Sequence, residues 1–291
     1  MSPVLASTRQ ELADLLAPRR ARGERIGLVC TMGAMHEGHA SLMRRTRAEI
    51  GPEAPLVVSL FVNPLQFGPG EDLDRYPRTF EADLALCGAE GVDVLFAPSV
   101  DEVYPGGPPE VTVDPGPLAS VLEGASRPGH FAGVLTVVAK LIGLVRPDVT
   151  VFGEKDYQQL TLVRRMSADL CLGVEVVGGA TVREADGLAL SSRNRYLDGE
   201  QRRTAAALSR ALRAAQAAAV DGAAAAEAAA RAELGRTPGV ELDYLVVTDP
   251  ALGDLPADPP PGTPARAVLA ARVGTTRLLD NVPLLLGAQA G

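Results

Sequence analysis

The chain has three histidines, and two of them fall in one nonapeptide, Thr31-Met32-Gly33-Ala34-Met35-His36-Glu37-Gly38-His39. An apolar run, Ile26 to Cys30, precedes it and a helical pattern, Ala40 to Ile50, follows, so the segment reads as strand, glycine turn and helix start. A helix start offers unpaired backbone N–H groups and the positive end of a dipole, which suit an anion such as phosphate. Imidazoles three residues apart face the same side of that first turn. The chemistry expected of the segment is the handling of a nucleoside triphosphate. A metal centre is the weaker reading, because a zincin helix spaces its histidines i, i+4 and here the spacing is i, i+3.

The basic residues supply a second clue. Of 28, only Lys140 and Lys155 are lysine. Lys140 lies among Val134, Val137, Val138 and Leu141, where its stem snorkels along an apolar helix. Lys155 lies in the polar turn Gly153-Glu154-Lys155-Asp156, directly after the strand-like Val149 to Phe152, where a compact charge suits phosphate.

The elements that must position these groups alternate. Strand-like runs are Ile26–Cys30, Leu56–Val62, Val92–Phe96, Val149–Phe152 and Val174–Val177. Helical patterns cover Ala40–Ile50, Phe80–Ala89, Phe131–Leu144 and Gln158–Cys171, after a first helix opened by Ser7 with Gln10 as its capping box. This rhythm implies an α/β fold, a Rossmann-like doubly wound parallel sheet with helices on both faces. Beyond Ala180 to Arg183 come Ala-rich helices, Gln201–Val220 and Ala223–Leu234. Strand-like Leu242–Val247, Ala267–Val273 and Thr276–Leu279 follow, the last two flanking a turn or bulge at Gly274. The expected organisation is a nucleotide-binding domain over residues 1–182 and a smaller α+β lid domain over 183–291.

Composition bounds the function. A net charge of −8 argues against a nucleic-acid partner. Three scattered cysteines, Cys30, Cys87 and Cys171, suggest reduced thiols in a cytoplasmic protein. No signal segment opens MSPVLASTRQEL, and no apolar run approaches the ~20 residues of a membrane helix, so no membrane association is expected.

Ligands of an open parallel sheet gather beyond the carboxyl ends of its strands. His36 and His39 follow the first strand there, Asn63-Pro64-Leu65-Gln66-Phe67 the second, and Gly153 to Asp156 the Val149 strand, with Gln158 and Gln159 close behind. Leu190-Ser191-Ser192-Arg193-Asn194-Arg195 adds hydroxyls and guanidinium groups that could close over phosphates from the second domain. His130 stands in the loop Gly124 to Phe131. Each group also has a plainer role: a hydrogen-bonded structural imidazole for His130, loop satisfaction for Gln66 and Gln159, a turn or cap for Ser191-Ser192, and a solvated helix face for Glu81 and Asp83.

Met32 to His39 resembles the HxGH signature of the nucleotidylyltransferase superfamily. With Phe61 to Phe67, Tyr76 to Thr79, Glu123 to Phe131, Gly153 to Leu160 and Asp186 to Asn194, the chain resembles the pantothenate synthetase (pantoate–β-alanine ligase) family. The likeness covers the first two-thirds of the chain, with Gly274–Asn281 beyond it. Cys30 stands where the family usually has proline and adds an oxidisable group, and Met35 stands where leucine is common.

The resemblance implies joining of (R)-pantoate to β-alanine through a pantoyl-adenylate, with ATP converted to AMP and diphosphate, Mg²⁺ on the phosphates, and a homodimer. It implies His36, His39, Lys155 and Arg193 as the catalytic set. ATP would be held by Met32, Gly33, Ala34, Met35, His36, Glu37, Gly38, His39, Gly153, Glu154, Lys155, Asp156, Val182, Leu190, Ser191, Ser192 and Arg193. Pantoate and β-alanine would meet Gln66, Gln159, Asn63 and His130. His39 matches the family's proton donor, although a phosphate leaving group needs charge stabilisation more than a proton. Two other functions share the fold: adenylyl transfer to a final product, and nucleotide binding without catalysis.

Overall fold

In the computed structural model, residues 2–68 and 73–287 are described. The chain divides into two compact units. One is Met1–Gly153 with Gln158–Ala180, and the other is Glu154–Tyr157 with Thr181–Gly291. The second therefore begins two residues earlier than the sequence pattern suggests, and it takes in the four residues around Lys155.

The first unit is built on β1 (Val4–Ala6), α1 (Arg9–Ala21), β2 (Gly27–Thr31), α2 (Glu37–Ile50), β3 (Leu56–Leu60), α3 (Phe80–Ala89), β4 (Val94–Phe96), α4 (Val100–Val103), α5 (Glu123–Ser126), α6 (His130–Val145), β5 (Val149–Gly153), α7 (Tyr157–Asp169) and β6 (Glu175–Gly179). Its strands form one parallel sheet in the order β1-β4-β3-β2-β5-β6, with Val29 opposite Val58 and Leu28 opposite Thr150. This is the expected Rossmann-like sheet. The order reverses between β2 and β5, so the crevice beyond their carboxyl ends is where such a sheet takes its ligand. Val29, Met43, Leu56, Val58, Leu95 and Val151 fill the core on one side of it.

Two local expectations are corrected. The cap of α1 is Thr8 with Glu11, not Ser7 with Gln10. Both pairs fit the same spacing, but the Glu11 carboxylate accepts from Ser7 N and Thr8 N together, which a neutral glutamine does more weakly. β1 gave no sequence signal, since three residues are too few for alternation and Val4 and Leu5 are exposed.

The second unit has α8 (Gly199–Ala218), α9 (Ala223–Gly235) and an antiparallel sheet of β7 (Val240–Thr248), β8 (Thr263–Val273) and β9 (Thr276–Leu286). Alanines 205, 211, 215, 226 and 230 let the two helices approach closely over Leu245 and Leu269. Pairing of Val273 with Thr276 gives a two-residue turn at Gly274, and the register shift of this sheet lies instead at Leu242/Tyr244. Among the described residues no helix is long and apolar enough to cross a membrane.

Candidate active site

The histidine segment is organised more tightly than its sequence suggests. The helix begins at Glu37, not at Ala40, because His36 is its N-cap. His36 Nδ1 accepts from Gly38 N at 3.1 Å, and His39 Nδ1 accepts from His36 N at 3.2 Å, a reciprocal capping box built from imidazoles. Histidine is outside the usual cap residues, so the first apolar position misled the pattern. An Nδ1 that accepts from a backbone N–H carries no proton, so the neutral ring of each histidine bears its hydrogen on Nε2. The ring centroids are 4.3 Å apart. The arrangement therefore selects two Nε2–H donors, side by side at the positive end of α2.

Most backbone N–H groups of this turn are already committed. Gly33 N donates to Thr31 Oγ1 at 2.8 Å, and His39 N to His36 O at 2.8 Å. Ala34 N and Met35 N donate to the Asp83 carboxylate at 3.1 and 2.7 Å, and Thr79 Oγ1 donates to it at 3.1 Å. Asp83 is 2% exposed, which overturns the solvated-face reading, while Glu81 is exposed as expected. The reason is visible in Phe80–Ala89: apolar residues circle the whole helix, and the face turned inward is Asp83 with Cys87, one turn apart. Ala34 sits at φ +50, a left-handed conformation costing about 1–2 kcal/mol in a residue with a Cβ. Gly33 has φ +88, and a Cβ there would lie 3.0 Å from Asp83 Oδ2. The carboxylate thus holds a turn that the chain would not keep unaided.

Beyond β3, Asn63, Gln66, Met32 and His130 come together. Asn63 is 1% exposed, and its amide is committed inside the unit. Nδ2 donates to Gln66 Oε1 and Gly133 O, both at 3.1 Å, and Oδ1 accepts from Tyr104 OH at 2.9 Å and Leu65 N at 3.3 Å. Gln66 Nε2 donates to Met32 Sδ at 3.0 Å. His130 Nδ1 meets Gln66 O and its Nε2 meets Arg127 Nη1, each at 2.9 Å. A carbonyl only accepts and a guanidinium only donates, so the proton is on Nδ1. α6 approaches this turn so closely that a Cβ at Gly133 would stand 2.2 Å from Leu65 O. Asn63 therefore holds the Gln66 side chain, and His130 its backbone carbonyl.

Gln158 and Gln159 separate. Gln158 is buried, donates to Leu118 O and Val121 O and accepts from Glu123 N, fastening the loop before α5. Gln159 follows it, half-buried, in the first turn of α7. Burial pushes the Cys30 thiol up to about 12, which lowers its thiolate fraction.

Gly153 ends β5 in the first unit, and the remaining candidate residues belong to the second. Glu154–Asp156 is one turn of 3₁₀ helix, with Lys155 Nζ 3.4 Å from Asp156 Oδ1. Leu190 N donates to Val182 O at 2.9 Å, closing a short hairpin bridged at Arg183 and Ala189. Ser191 caps the 3₁₀ segment Ser192–Tyr196, accepting from Arg193 N at 3.3 Å. Asn194 donates to Glu184 and Ala189 O, and Arg202 binds both Glu184 and Asp186. The Arg202 hydrogen bond is the chief cause that holds both carboxyls below their ordinary range.

A parallel sheet that reverses order between β2 and β5, with paired histidines heading the helix after β2, defines a Rossmann-like α/β protein of the HxGH type. Residues 4–283 match the family model described as pantoate-beta-alanine ligase, and the chain belongs to that family. It is 69% identical to the pantothenate synthetase of a Nocardioides species, over 99% of this chain and 87% of that one. Identity to the Mycolicibacterium smegmatis pantothenate synthetase is 58%, over 96% and 88%. The crystal structure of the Thermus thermophilus pantothenate synthetase superposes with a TM-score of 0.87 at 50% identity, covering 96% of this chain and 98% of that one. The Francisella tularensis pantoate-beta-alanine ligase, complexed with beta-gamma ATP and beta-alanine, gives 0.77 at 32% identity, covering 97% of each.

Proposed function

We propose that this chain condenses (R)-pantoate with β-alanine, converting ATP to AMP and diphosphate through a pantoyl-adenylate. The observation that carries the reading is the histidine capping box, which puts a proton on Nε2 of both His36 and His39 at the head of α2. Family membership supplies the substrates.

In the first step a pantoate carboxylate oxygen bonds to the α-phosphorus and the bond to the leaving diphosphate breaks. The carboxylate is ionised at pH 7, so no base is required. Two anions must meet, and negative charge must leave, which calls for fixed donors and cations. His36 and His39 would donate from Nε2, and Lys155 and Arg193 would supply charge. Met32 to His39, Gly153 to Asp156, Val182 and Leu190 to Arg193 would hold ATP. Gln66 and Gln159 would bind pantoate, with Asn63 and His130 orienting Gln66. In the second step the β-alanine amine attacks the acyl carbon, the bond to AMP breaks and the amine gives up a proton.

Mg²⁺ belongs to this reading as a companion of the triphosphate, where it would offset the charge of the phosphates. Among the described residues no group of three or more His, Cys, Asp or Glu side chains is placed to hold an ion. A homodimer in the cytoplasm is part of the same proposal, checked by light scattering.

An assay with ATP, pantoate and β-alanine, omitting each in turn, tests the reading. AMP should appear in step with pantothenate and only with all three present. With all three present, diphosphate release without AMP would point to adenylyl transfer to a final product, and ATP binding without any release to a non-catalytic module.

A further inference from the structure

Lys155 stands in a surface turn, yet buried polar groups from 110 to 130 residues away in sequence converge on its backbone and its neighbours. Asn281, on β9 and 4% exposed, spends both amide protons on consecutive carbonyls, Glu154 O and Lys155 O, each at 2.9 Å. Its Oδ1 accepts from Arg266 Nε at 2.8 Å and from Arg266 Nη2. Arg266, on β8 and 6% exposed, also reaches Glu154 Oε2 at 3.0 Å and lies 3.8 Å over the Tyr157 ring. Tyr157 OH in turn donates to Pro250 O at 2.9 Å. Glu154, Lys155 and Tyr157 are thus each held in place from the sheet of the second unit.

The neighbouring residue does the same for the other polar segment of this unit. Asp280 pairs with Arg183 through two bonds, at 2.6 and 2.9 Å, and accepts from Asn281 N at 2.7 Å. Arg183 opens the hairpin that leads to Ser191 and Arg193. Two consecutive residues of β9 therefore fasten both segments.

A buried guanidinium and carboxylate return little net stability, because desolvation offsets most of their attraction. What such a network does supply is a single fixed conformation. We infer that Arg266, Asn281 and Asp280 are positioning residues for the adenylation step, setting Lys155 and the Ser191–Arg193 segment without touching substrate. The inference rests on the proposed role of Lys155 in charge stabilisation. It gives a function to the Gly274–Asn281 likeness that the chemistry of the site leaves unused.

The test measures pantoate-dependent diphosphate release by the whole enzyme in wild type, Arg266→Met, Lys155→Met and the double variant. Arg266→Met should lower kcat by about 10- to 100-fold, with KM for ATP within about threefold and a lowered melting temperature, because Asn281 Oδ1 loses both of its donors. The double variant should be no slower than Lys155→Met alone, within about twofold, because the clamp acts through that lysine. Should Arg266→Met not fold, Asn281→Asp decides on the same criteria, since it keeps the Arg266 bond and sets a carboxylate against two carbonyls. A rate within about twofold of wild type, or losses that multiply in the double variant, would overturn the inference. Wild-type speed in Lys155→Met would instead refute the role assigned to that lysine under the proposed function.

Discussion

Replacing Asp83 by asparagine tests the architecture of the histidine turn. The carboxylate accepts from Met35 N at 2.7 Å and from Ala34 N and Thr79 Oγ1 at 3.1 Å, in a site 2% exposed. Asparagine has one acceptor oxygen. If that oxygen stays on Met35 N, the new NH₂ faces the Ala34 N–H, which loses its partner in a dry site. An unsatisfied buried donor costs about 1–3 kcal/mol, and the surviving bond weakens as it loses its charge. The expected destabilisation is about 2–4 kcal/mol, read from denaturant midpoints at neutral pH with unchanged slope. Ala34 at φ +50 then has reason to relax, moving the imidazoles that follow it. A displacement near 1 Å should cost about 100-fold in diphosphate release. If Asp83→Asn keeps stability within about 0.5 kcal/mol and rate within about twofold, the carboxylate does not hold the turn, and the reasoning fails.

Other predictions follow the same contacts. His39→Gln, whose amide can stand in for the Nε2–H donor, should keep more adenylation activity than His39→Asn; equal loss in both would favour proton transfer over hydrogen bonding. Tyr104→Phe removes the phenol that donates to Asn63 Oδ1 and should cost about 1 kcal/mol in unfolding free energy with a small rise in KM for pantoate. Burial pushes that phenol up to about 12, so its spectral titration should begin only above about pH 11. The Glu184 and Asp186 carboxyls lie below their ordinary values of 4.5 and 3.8, so their stabilisation is present above those values and lost as pH falls through the lowered ones. The melting temperature of Arg202→Gln should therefore trail wild type at pH 7 and converge with it under acid; a gap that widens on acidification would contradict the sign. Iodoacetamide should label Cys171, the exposed thiol, in preference to Cys30 and Cys87, whose thiols burial pushes up to about 12, and activity should survive.

The parallel sheet, β1 apart, was legible because its strands are short apolar runs and the helices between them periodic, and Phe80–Ala89 was found to the residue. The start of α2 was missed because imidazoles cap it, and caps are read from a vocabulary without histidine. The chemistry-bearing types were also legible: paired histidines, a rare lysine, paired serines. What supports them was not. Asp83 looked like half of a solvated pair because sequence gives helix periodicity but not which face turns inward. Arg266 and Asn281 lie in strands whose other residues are largely apolar, and nothing local says that a buried polar pair there meets a turn more than a hundred residues away. The hydrogen bonds that tie Asn63 and His130 to Gln66 were likewise not legible, since the partners come from separate elements.

The central claim is that the pantoate carboxylate is activated by bonding to the α-phosphorus of ATP. Pantoate labelled with ¹⁸O in its carboxylate, turned over with ATP and β-alanine, tests it directly. One label should be found in the AMP and one kept in the pantothenate. AMP free of label would contradict the acyl-adenylate and, with it, the roles given to His36, His39 and Lys155.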